Sequence, residues 1–144
     1  MQVVREKLVR MEAARRSAIE RLHTPLHREL YRFSPSFLSP EFRAFVEESE
    51  KGEATREDVR ELVTRLAVEE ESNVGVYSIP LLTEEFCKRL CEELEHLEAS
   101  GLPLVRPNSM NSYGIVLTEV GFDHLLTGLR ERVVEPLASA LFTD

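Results

Sequence analysis

The strongest constraint on the fold is a run of apolar residues at helical spacing near the middle of the chain. The members of this run, three or four positions apart, are Phe86, Leu90, Leu94 and Leu97. This spacing places them all on one face of an α-helix. Thr83 can cap the start of the helix with its side-chain oxygen, and Gly101 can end it. The chain must therefore supply further elements that cover this apolar stripe.

Helices are also predicted on the N-terminal side of this run. Residues 1–24 form a basic amphipathic helix, because apolar residues recur there at helical spacing on an arginine-rich background. Ser39 is expected to cap a short second helix, since Pro40 follows it and proline is favoured in the first helical turn. Thr55 and Asp58 have the spacing of a capping pair and predict the start of a third helix.

The last predicted helix begins near Gly121 and is expected to kink at Pro136. Its apolar face consists of Leu125, Leu129, Val133, Leu137 and Leu141. We expect part of this face to stay exposed for a further domain. Tyr77–Ile79 and Tyr113–Leu117 are rich in β-forming residues and predict short strands. The chain is therefore expected to have an α+β fold that is mostly helical, with residues 25–144 as the body behind the basic helix.

The charge of the chain is uneven. The formal net charge is -8, yet residues 1–33 carry eight Lys/Arg and four Asp/Glu. The acidic remainder argues against a general nucleic-acid binder. No stretch is apolar for long enough to cross a membrane, and no secretory signal is recognisable, so we expect a soluble intracellular protein. Glu6, Glu12 and Glu20 disfavour a mitochondrial presequence in the basic helix, because such peptides avoid acids.

The cysteines and histidines predict no metal site. Cys87 and Cys91 lie four residues apart on the central helix and are expected to be buried free thiols, because that geometry rarely suits a disulfide. His96 follows five residues after Cys91, which turns it to another side of the helix. His23 and His27 are separated by a helix-breaking proline and are expected at the surface.

A polar, turn-forming segment, the Arg106–Gly114 loop, is the candidate functional region. Its predicted substrate-binding residues are Arg106, Asn108, Asn111 and Tyr113. They combine a fixed cation, two amides and a phenol on a loop stiffened by Pro107, which suits gripping a peptide or a small polar substrate. The alternative is a structural turn, in which the asparagines satisfy backbone groups and Arg106 pairs with an acid such as Glu119.

Several segments resemble one known family. The main ones are Tyr77-Ser78-Ile79-Pro80-Leu81-Leu82-Thr83-Glu84-Glu85-Phe86-Cys87, Arg106-Pro107-Asn108-Ser109-Met110-Asn111-Ser112-Tyr113-Gly114 and Leu129-Arg130-Glu131-Arg132, with support from Leu26-His27-Arg28-Glu29-Leu30-Tyr31 and Phe37-Leu38. From about residue 26 onward the chain resembles the N-terminal portion of the 2-oxoglutarate and iron-dependent oxygenase domain-containing proteins, which are prolyl-4-hydroxylase-like. The second segment is the specific one.

The resemblance implies a region that precedes a double-stranded β-helix, or jelly roll, which is missing from this chain. In the family the jelly roll carries His-x-Asp and a distant His for Fe(II), together with a basic residue for 2-oxoglutarate. This chain has no His-x-Asp. The resemblance therefore assigns it no catalytic, cofactor-binding or metal-binding residue, and implies Fe(II), 2-oxoglutarate and ascorbate only for the full-length family member.

We thus expect a fragment or truncated isoform of a hydroxylase that couples 2-oxoglutarate decarboxylation to substrate hydroxylation. Alone it is expected to be inactive, and its partner would be the missing jelly roll. The alternative is a non-catalytic helical module, in which the basic helix of residues 1–24 docks on an acidic protein partner or an anionic membrane surface. The abrupt end at Asp144, just after an apolar helical face, adds to the expectation of truncation.

Overall fold

The computed structural model of the protein describes residues 2–67, 69–71, 76–108, 110 and 114–142. Most of these residues are helical, as predicted. The α-helices are α1 (Gln2–Leu22), α2 (Pro40–Lys51), α3 (Arg56–Leu66), α4 (Glu84–Ala99), α5 (Asp123–Leu129) and α6 (Glu135–Phe142). Short 3₁₀ helices span Arg28–Tyr31, Pro35–Phe37 and Leu117–Val120. Strands β1 (Glu69–Glu71) and β2 (Val76–Ser78) pair antiparallel, with Glu70 opposite Tyr77.

Two of the predicted helix caps form as expected. The Thr55 hydroxyl accepts a bond from the backbone N–H of Asp58 at 3.2 Å, and the Asp58 carboxylate accepts one from the backbone N–H of Thr55 at 2.8 Å. The Thr83 hydroxyl likewise accepts from the N–H of Phe86 at 3.2 Å. Ser39 stands at the start of α2 without a side-chain bond to the helix, so Pro40 is the residue there that favours helical geometry.

The two strand predictions had different outcomes. β2 matches the predicted strand Tyr77–Ile79 to within one residue. The predicted strand Tyr113–Leu117 was wrong where the structure describes it: residues 114–116 have no regular structure and Leu117 begins a 3₁₀ helix. Gly121 closes that helix with a φ of 96°, a left-handed conformation that glycine tolerates best. In residues 114–117, β-forming composition alone did not produce a strand.

The chain divides into two compact units. The first unit consists of Met1–Tyr31 and Lys88–Asp123. Its buried apolar residues are Ile19, Leu30, Leu97, Val120 and Phe122. The ring of Tyr31 stacks on Phe122 with a centroid distance of 4.3 Å. The hydroxyl of Tyr31 therefore lies beside this apolar core.

The second unit consists of Arg32–Cys87 and His124–Asp144. Its buried apolar residues are Phe33, Phe37, Leu38, Phe42, Phe45, Val46, Val59, Val63, Phe86, Leu125, Val133, Leu137 and Ala140. Phe37 stacks on Phe86 at a centroid distance of 4.6 Å. Backbone bonds from Ser39 N–H to Leu81 O and from Thr83 N–H to Phe37 O, both 2.9 Å, join the segments that flank these rings.

The C-terminal helical region differs from the prediction in two ways. Leu125, Val133 and Leu137 are buried, so the expectation of an exposed apolar face on them was wrong. A π-helical turn, Arg130–Val134, separates α5 from α6. It lies just before Pro136, whose missing N–H and bulky ring disturb a regular α-helix. No helix within the described part of the chain is long and apolar enough to cross a membrane.

Candidate functional site

The Arg106–Gly114 loop is partly described. Arg106 and Asn108 are exposed, and Asn111 and Tyr113 lie outside the described residues. The side-chain Oδ1 of Asn108 accepts a bond from the backbone N–H of Met110 at 3.0 Å, which forms a turn of the type that asparagine favours. Asn108 therefore has the turn-forming role foreseen in the structural alternative.

The base of this loop is narrow. A Cβ built on Gly114 would lie 3.1 Å from Cγ of Pro107, and the φ of Gly114 is 123°. Only glycine meets both the close approach and the backbone conformation without strain. Pro107 and Gly114 thus bring the two ends of the loop close together.

Arg106 does not form the predicted alternative ion pair with Glu119. Both carboxylate oxygens of Glu119 accept bonds from the Arg15 guanidinium, at 2.7 and 2.8 Å. Only 18% of the Arg15 side chain and 13% of the Glu119 side chain are exposed. The hydrogen bonds from Arg15 hold the pKa of Glu119 below its ordinary value. This pair fastens α1 to the 3₁₀ helix Leu117–Val120 in the first unit.

A second polar site in the first unit, the Glu93 cluster, centres on a carboxylate that is 0% exposed. It comprises Glu93, His23, Tyr31 and the backbone N–H groups of Leu26 and His27. Oε1 of Glu93 accepts from Leu26 N–H at 3.2 Å and from the Tyr31 hydroxyl at 2.7 Å. Oε2 accepts from His27 N–H at 2.5 Å. The buried charge is therefore met by three donors, as a buried carboxylate requires.

The proton positions in the cluster follow from its contacts. The Tyr31 hydroxyl gives its one hydrogen to Glu93, so Nε2 of His23, 2.6 Å from that hydroxyl, must donate. Nδ1 of His23 is then an acceptor, and it is buried with no hydrogen-bond partner among the described residues. Burial lowers the pKa of His23, more than the Glu93 charge raises it. Burial, and then the bond to Glu93, raise the pKa of Tyr31.

Neighbouring residues of α4 hold the same segment, Thr24–Tyr31, from the outside. The bonds are Arg89 to Glu29 at 2.8 Å, His27 Nε2 to Glu92 at 2.8 Å and His96 Nε2 to the Thr24 carbonyl at 2.9 Å. Residues 89, 92, 93 and 96 lie on one side of α4, because the pairs 89/92, 89/93, 92/96 and 93/96 are each three or four positions apart. The arrangement is a polar clamp that positions a connecting segment.

Sequence reasoning missed Glu93 and misplaced three other residues. Glu93 lies three residues after Leu90 and four before Leu97, so an acid on the buried face was the available signal. His23 was expected at the surface, but only 9% of its side chain is exposed, because Tyr31 and Glu93 offer it partners. Cys87 and Cys91 were expected to be buried, yet both are exposed free thiols, so that prediction was wrong.

A cleft of about 470 Å³ adjoins the Glu93 cluster in the first unit. Its polar lining includes Arg16, Glu20, His23, Tyr31 and Asp123. Tyr31 also lies 3.4 Å from where a Cβ of Gly121 would stand, so the cleft wall is tightly packed there. These groups can donate and accept hydrogen bonds. Nε2 of His23, the Tyr31 hydroxyl and one guanidinium nitrogen of Arg16 are already bonded within the protein, whereas Nδ1 of His23 is not bonded to any described residue.

The described residues do not fit the iron centre that the resemblance implies. Such a centre needs two histidines and a carboxylate converging on one point. No group of three His, Cys, Asp or Glu side chains converges in that way within the described ranges. Nε2 atoms of His23, His27 and His96 are each engaged in a hydrogen bond.

A family model described as the OGFOD2-like domain matches residues 19–144. The chain is 41% identical to a human protein over 143 residues and 40% identical to a zebrafish protein over 131 residues. Both relatives are named 2-oxoglutarate and iron-dependent oxygenase domain-containing protein 2. An Arabidopsis thaliana relative, 2-oxoglutarate and iron-dependent oxygenase domain-containing protein ICU11, is 34% identical over 125 residues.

These matches cover most of this chain but a minor part of the relatives. The human match covers 97% of the chain and 39% of the relative, and the zebrafish match 90% and 36%. The Arabidopsis match covers 83% of the chain and 28% of the relative. No solved structure matches. The chain thus spans less than half the length of the relatives to which it is similar.

Proposed function

Since this chain belongs to the OGFOD2-like domain family, we propose that it forms the N-terminal region of a Fe(II)- and 2-oxoglutarate-dependent oxygenase. That enzyme couples decarboxylation of 2-oxoglutarate to hydroxylation of a substrate. The observation that carries the proposal is the family match over residues 19–144, together with relatives whose names state iron and 2-oxoglutarate dependence. The iron-binding jelly roll of such an enzyme lies outside the present sequence.

In the proposed enzyme, the jelly roll carries out the catalysis and the present chain has a structural role. The sequence holds no His-x-Asp pair, and the described side chains do not fit an iron site. We therefore expect the chain alone to be inactive. Its contribution is a helical platform, in which the polar clamp of α4 and the pair Arg15–Glu119 hold the segments of the first unit in place.

The Arg106–Gly114 loop is the substrate-contacting part of this platform. Arg106, Asn111 and Tyr113 supply a cation, an amide and a phenol, and Asn108 forms a turn with Met110. The exposure of Arg106 and the narrow base at Pro107 and Gly114 support this role. A loop with this mixture of polar groups suits orienting a peptide or small polar substrate for a neighbouring active site.

A domain exchange tests the proposal. This chain replaces the matched region of the zebrafish relative, and succinate release from 2-oxoglutarate is measured with Fe(II), with and without ascorbate. We expect turnover by the relative and by the chimera, and none by the isolated chain. Succinate release by the isolated chain would place the chemistry within it and overturn the division of roles. Lack of turnover by both longer proteins would overturn the oxygenase assignment.

Variants of the chimera test the loop. Arg106→Ala and Asn111→Ala are each expected to lower substrate-coupled turnover while leaving the melting temperature nearly unchanged. Arg21→Ala removes another exposed arginine, outside the loop, and serves as the matched control. If a loop variant instead loses stability by about 1–3 kcal/mol, as expected when a buried polar partner is removed, the loop is a structural turn.

A further inference from the structure

Two carboxylates that line the cleft beside the Glu93 cluster have no counter-ion among the described residues. They belong to Glu20 on α1 and Asp123 at the start of α5, and both residues are exposed. Neither side chain forms an ion pair or a hydrogen bond within the part of the chain that the structure describes. Two like charges at one cleft repel each other and attract a cation.

The other charged groups at this cleft are already paired. The Arg16 guanidinium lies 3.0 Å from a carboxylate oxygen of Glu12 and 3.8 Å from one of Glu119. Glu119 also accepts two bonds from the Arg15 guanidinium. The positive charges near the cleft are therefore offset by Glu12 and Glu119, which leaves the charges of the first two carboxylates uncompensated.

We propose that this cleft binds a primary alkylammonium group, supplied either by a free amine or by a lysine side chain of a peptide. The ammonium group has three N–H donors, so it can bond to Glu20, to Asp123 and to one further acceptor. The apolar part of the lining, Ile19, Pro25 and Val120, suits the methylene stem of such a ligand. The cleft volume of about 470 Å³ lies within the roughly 300–1,000 Å³ that is usual for ligand pockets.

His23 offers the further acceptor. It lines the cleft, only 9% of its side chain is exposed, and its Nδ1 is buried without a hydrogen bond to any described residue. Since Nε2 donates to the Tyr31 hydroxyl, Nδ1 can only accept. A buried acceptor without a donor is costly, and an N–H of the ligand would remove that cost. A quaternary ammonium has no N–H and could not do so.

A metal ion fits this cleft less well than an organic cation. Glu20, Glu119 and Asp123 all line it, yet no three His, Cys, Asp or Glu side chains of the described ranges are grouped closely enough to share one ion. An alkylammonium group is larger, and its apolar stem matches the mixed lining. This binding needs no iron and is independent of the oxygenase assignment.

NMR titration of the whole chain tests the proposal, with the ring signals of His23 and the methyl signals of Val120 as reporters. The ligands are n-butylammonium and Nα-acetyl-lysine methylamide, each added to about 50 mM at constant ionic strength because a ligand of few atoms binds weakly. We expect saturable shifts with a Kd on the order of 1 mM. Tighter binding of the lysine derivative would identify a peptide as the source, and equal or tighter binding of butylammonium would identify a free amine.

Two further ligands separate charge from hydrogen bonding. Butanol has the apolar stem without the charge, and tetramethylammonium has the charge without an N–H donor. Both should bind roughly tenfold more weakly than butylammonium, because each loses part of the recognition. If neither amine gives saturable shifts, or if butanol or tetramethylammonium binds as tightly as butylammonium, the proposal is wrong.

Charge-neutralising variants test the two carboxylates. Glu20→Gln and Asp123→Asn are each expected to weaken butylammonium binding by roughly threefold to fivefold, as for the loss of one exposed ion pair. Glu98→Gln removes an exposed acid of the first unit that does not line the cleft, and should leave the affinity unchanged. The melting temperature of each variant checks that the fold is intact. An equal loss of affinity in Glu98→Gln would show a general charge effect and overturn the assignment of the cleft.

Discussion

The first and second units hold their segments by different kinds of interaction. The first unit has five buried apolar residues and encloses Glu93, the one charged residue that is fully buried in the described part of the chain. The second unit has thirteen buried apolar residues, and five of these are phenylalanines. They are Phe33, Phe37, Phe42, Phe45 and Phe86. Hydrogen bonds to a carboxylate are directional, whereas apolar packing depends on shape and volume. The first unit should therefore respond to the loss of single polar groups, and the second to changes in volume.

The largest expected effect is that of Glu93→Ala. The substitution leaves the backbone N–H groups of Leu26 and His27 and the hydroxyl of Tyr31 without their acceptor. We expect the free energy of unfolding to fall by about 3–5 kcal/mol, because buried unpaired donors are costly. Urea denaturation measures this loss, and hydrogen exchange at the Leu26 and His27 amides should locate it.

Glu92→Ala is the matched control for Glu93→Ala. Glu92 is the preceding residue of α4, and its side chain is 41% exposed while accepting one bond from His27. Its loss should cost no more than about 1 kcal/mol, as is usual for exposed ion pairs. Equal losses for the two variants would mean that the burial of Glu93 does not decide the stability of the first unit.

Val63→Ala makes the corresponding test in the second unit. Val63 lies on α3 and is 0% exposed, so the change removes two methyl groups and leaves a cavity. We expect a loss of about 2 kcal/mol, from transfer and cavity terms together. The loss should be nearly independent of salt and pH because no charge is involved. A strong dependence on salt would show that the second unit also relies on charge.

Local signals made the second unit the more predictable of the two. The capping pair of Thr55 and Asp58, the cap at Thr83 and the strand at Tyr77 depend on residues close together in sequence, and all three are present. Pro136 indicated a disturbance of the last helix, although its form, a π-helical turn, was not foreseen. Such features depend on residues within a few positions of one another, so a short stretch of sequence is enough to predict them.

The polar sites of the first unit could not be predicted in the same way. Glu93 is hydrogen-bonded to Leu26 and His27, which are 67 and 66 positions away in the sequence. Arg15 and Glu119 are 104 positions apart. A charged residue on an otherwise apolar face shows that a partner is needed, but not which one. Of the predicted substrate-binding residues, Arg106 and Asn108 are described, and their role stays a prediction. Asn111 and Tyr113 lie outside the described residues.

A smaller effect is expected for the ion pair of Arg15 and Glu119. Arg15→Ala removes two parallel bonds between side chains that are 18% and 13% exposed. We expect a loss of about 1 kcal/mol, larger than for a fully exposed pair because the geometry is bidentate and shielded. Arg16→Ala, at a side chain that is 56% exposed, is the control and should change stability less. If Arg16→Ala costs as much as Arg15→Ala, the bidentate geometry adds nothing.

The smallest expected difference between the two units is in how their stability depends on pH. It arises from His23 in the first unit. Burial lowers the pKa of His23 in the folded state, against about 6.5 in the unfolded chain. The unfolded state thus binds a proton more readily, so the stability from neutral His23 is complete above pH of about 6.5 and is lost as pH falls towards the folded pKa. Glu93 opposes this shift and His96 adds to it.

His23→Gln can still donate to Tyr31 but does not titrate, so it isolates this effect. The free energy of unfolding of the wild type and of His23→Gln is measured by urea denaturation from about pH 8 to about pH 5. Below about pH 6.5 we expect the wild type to lose stability relative to the variant. His124→Gln, at an exposed position in the first turn of α5, is the control from the second unit. A difference for His23→Gln that stays constant with pH would mean that protonation of His23 is not resisted by its burial. The polar character of the first unit would then lie in the bonds to Glu93 alone.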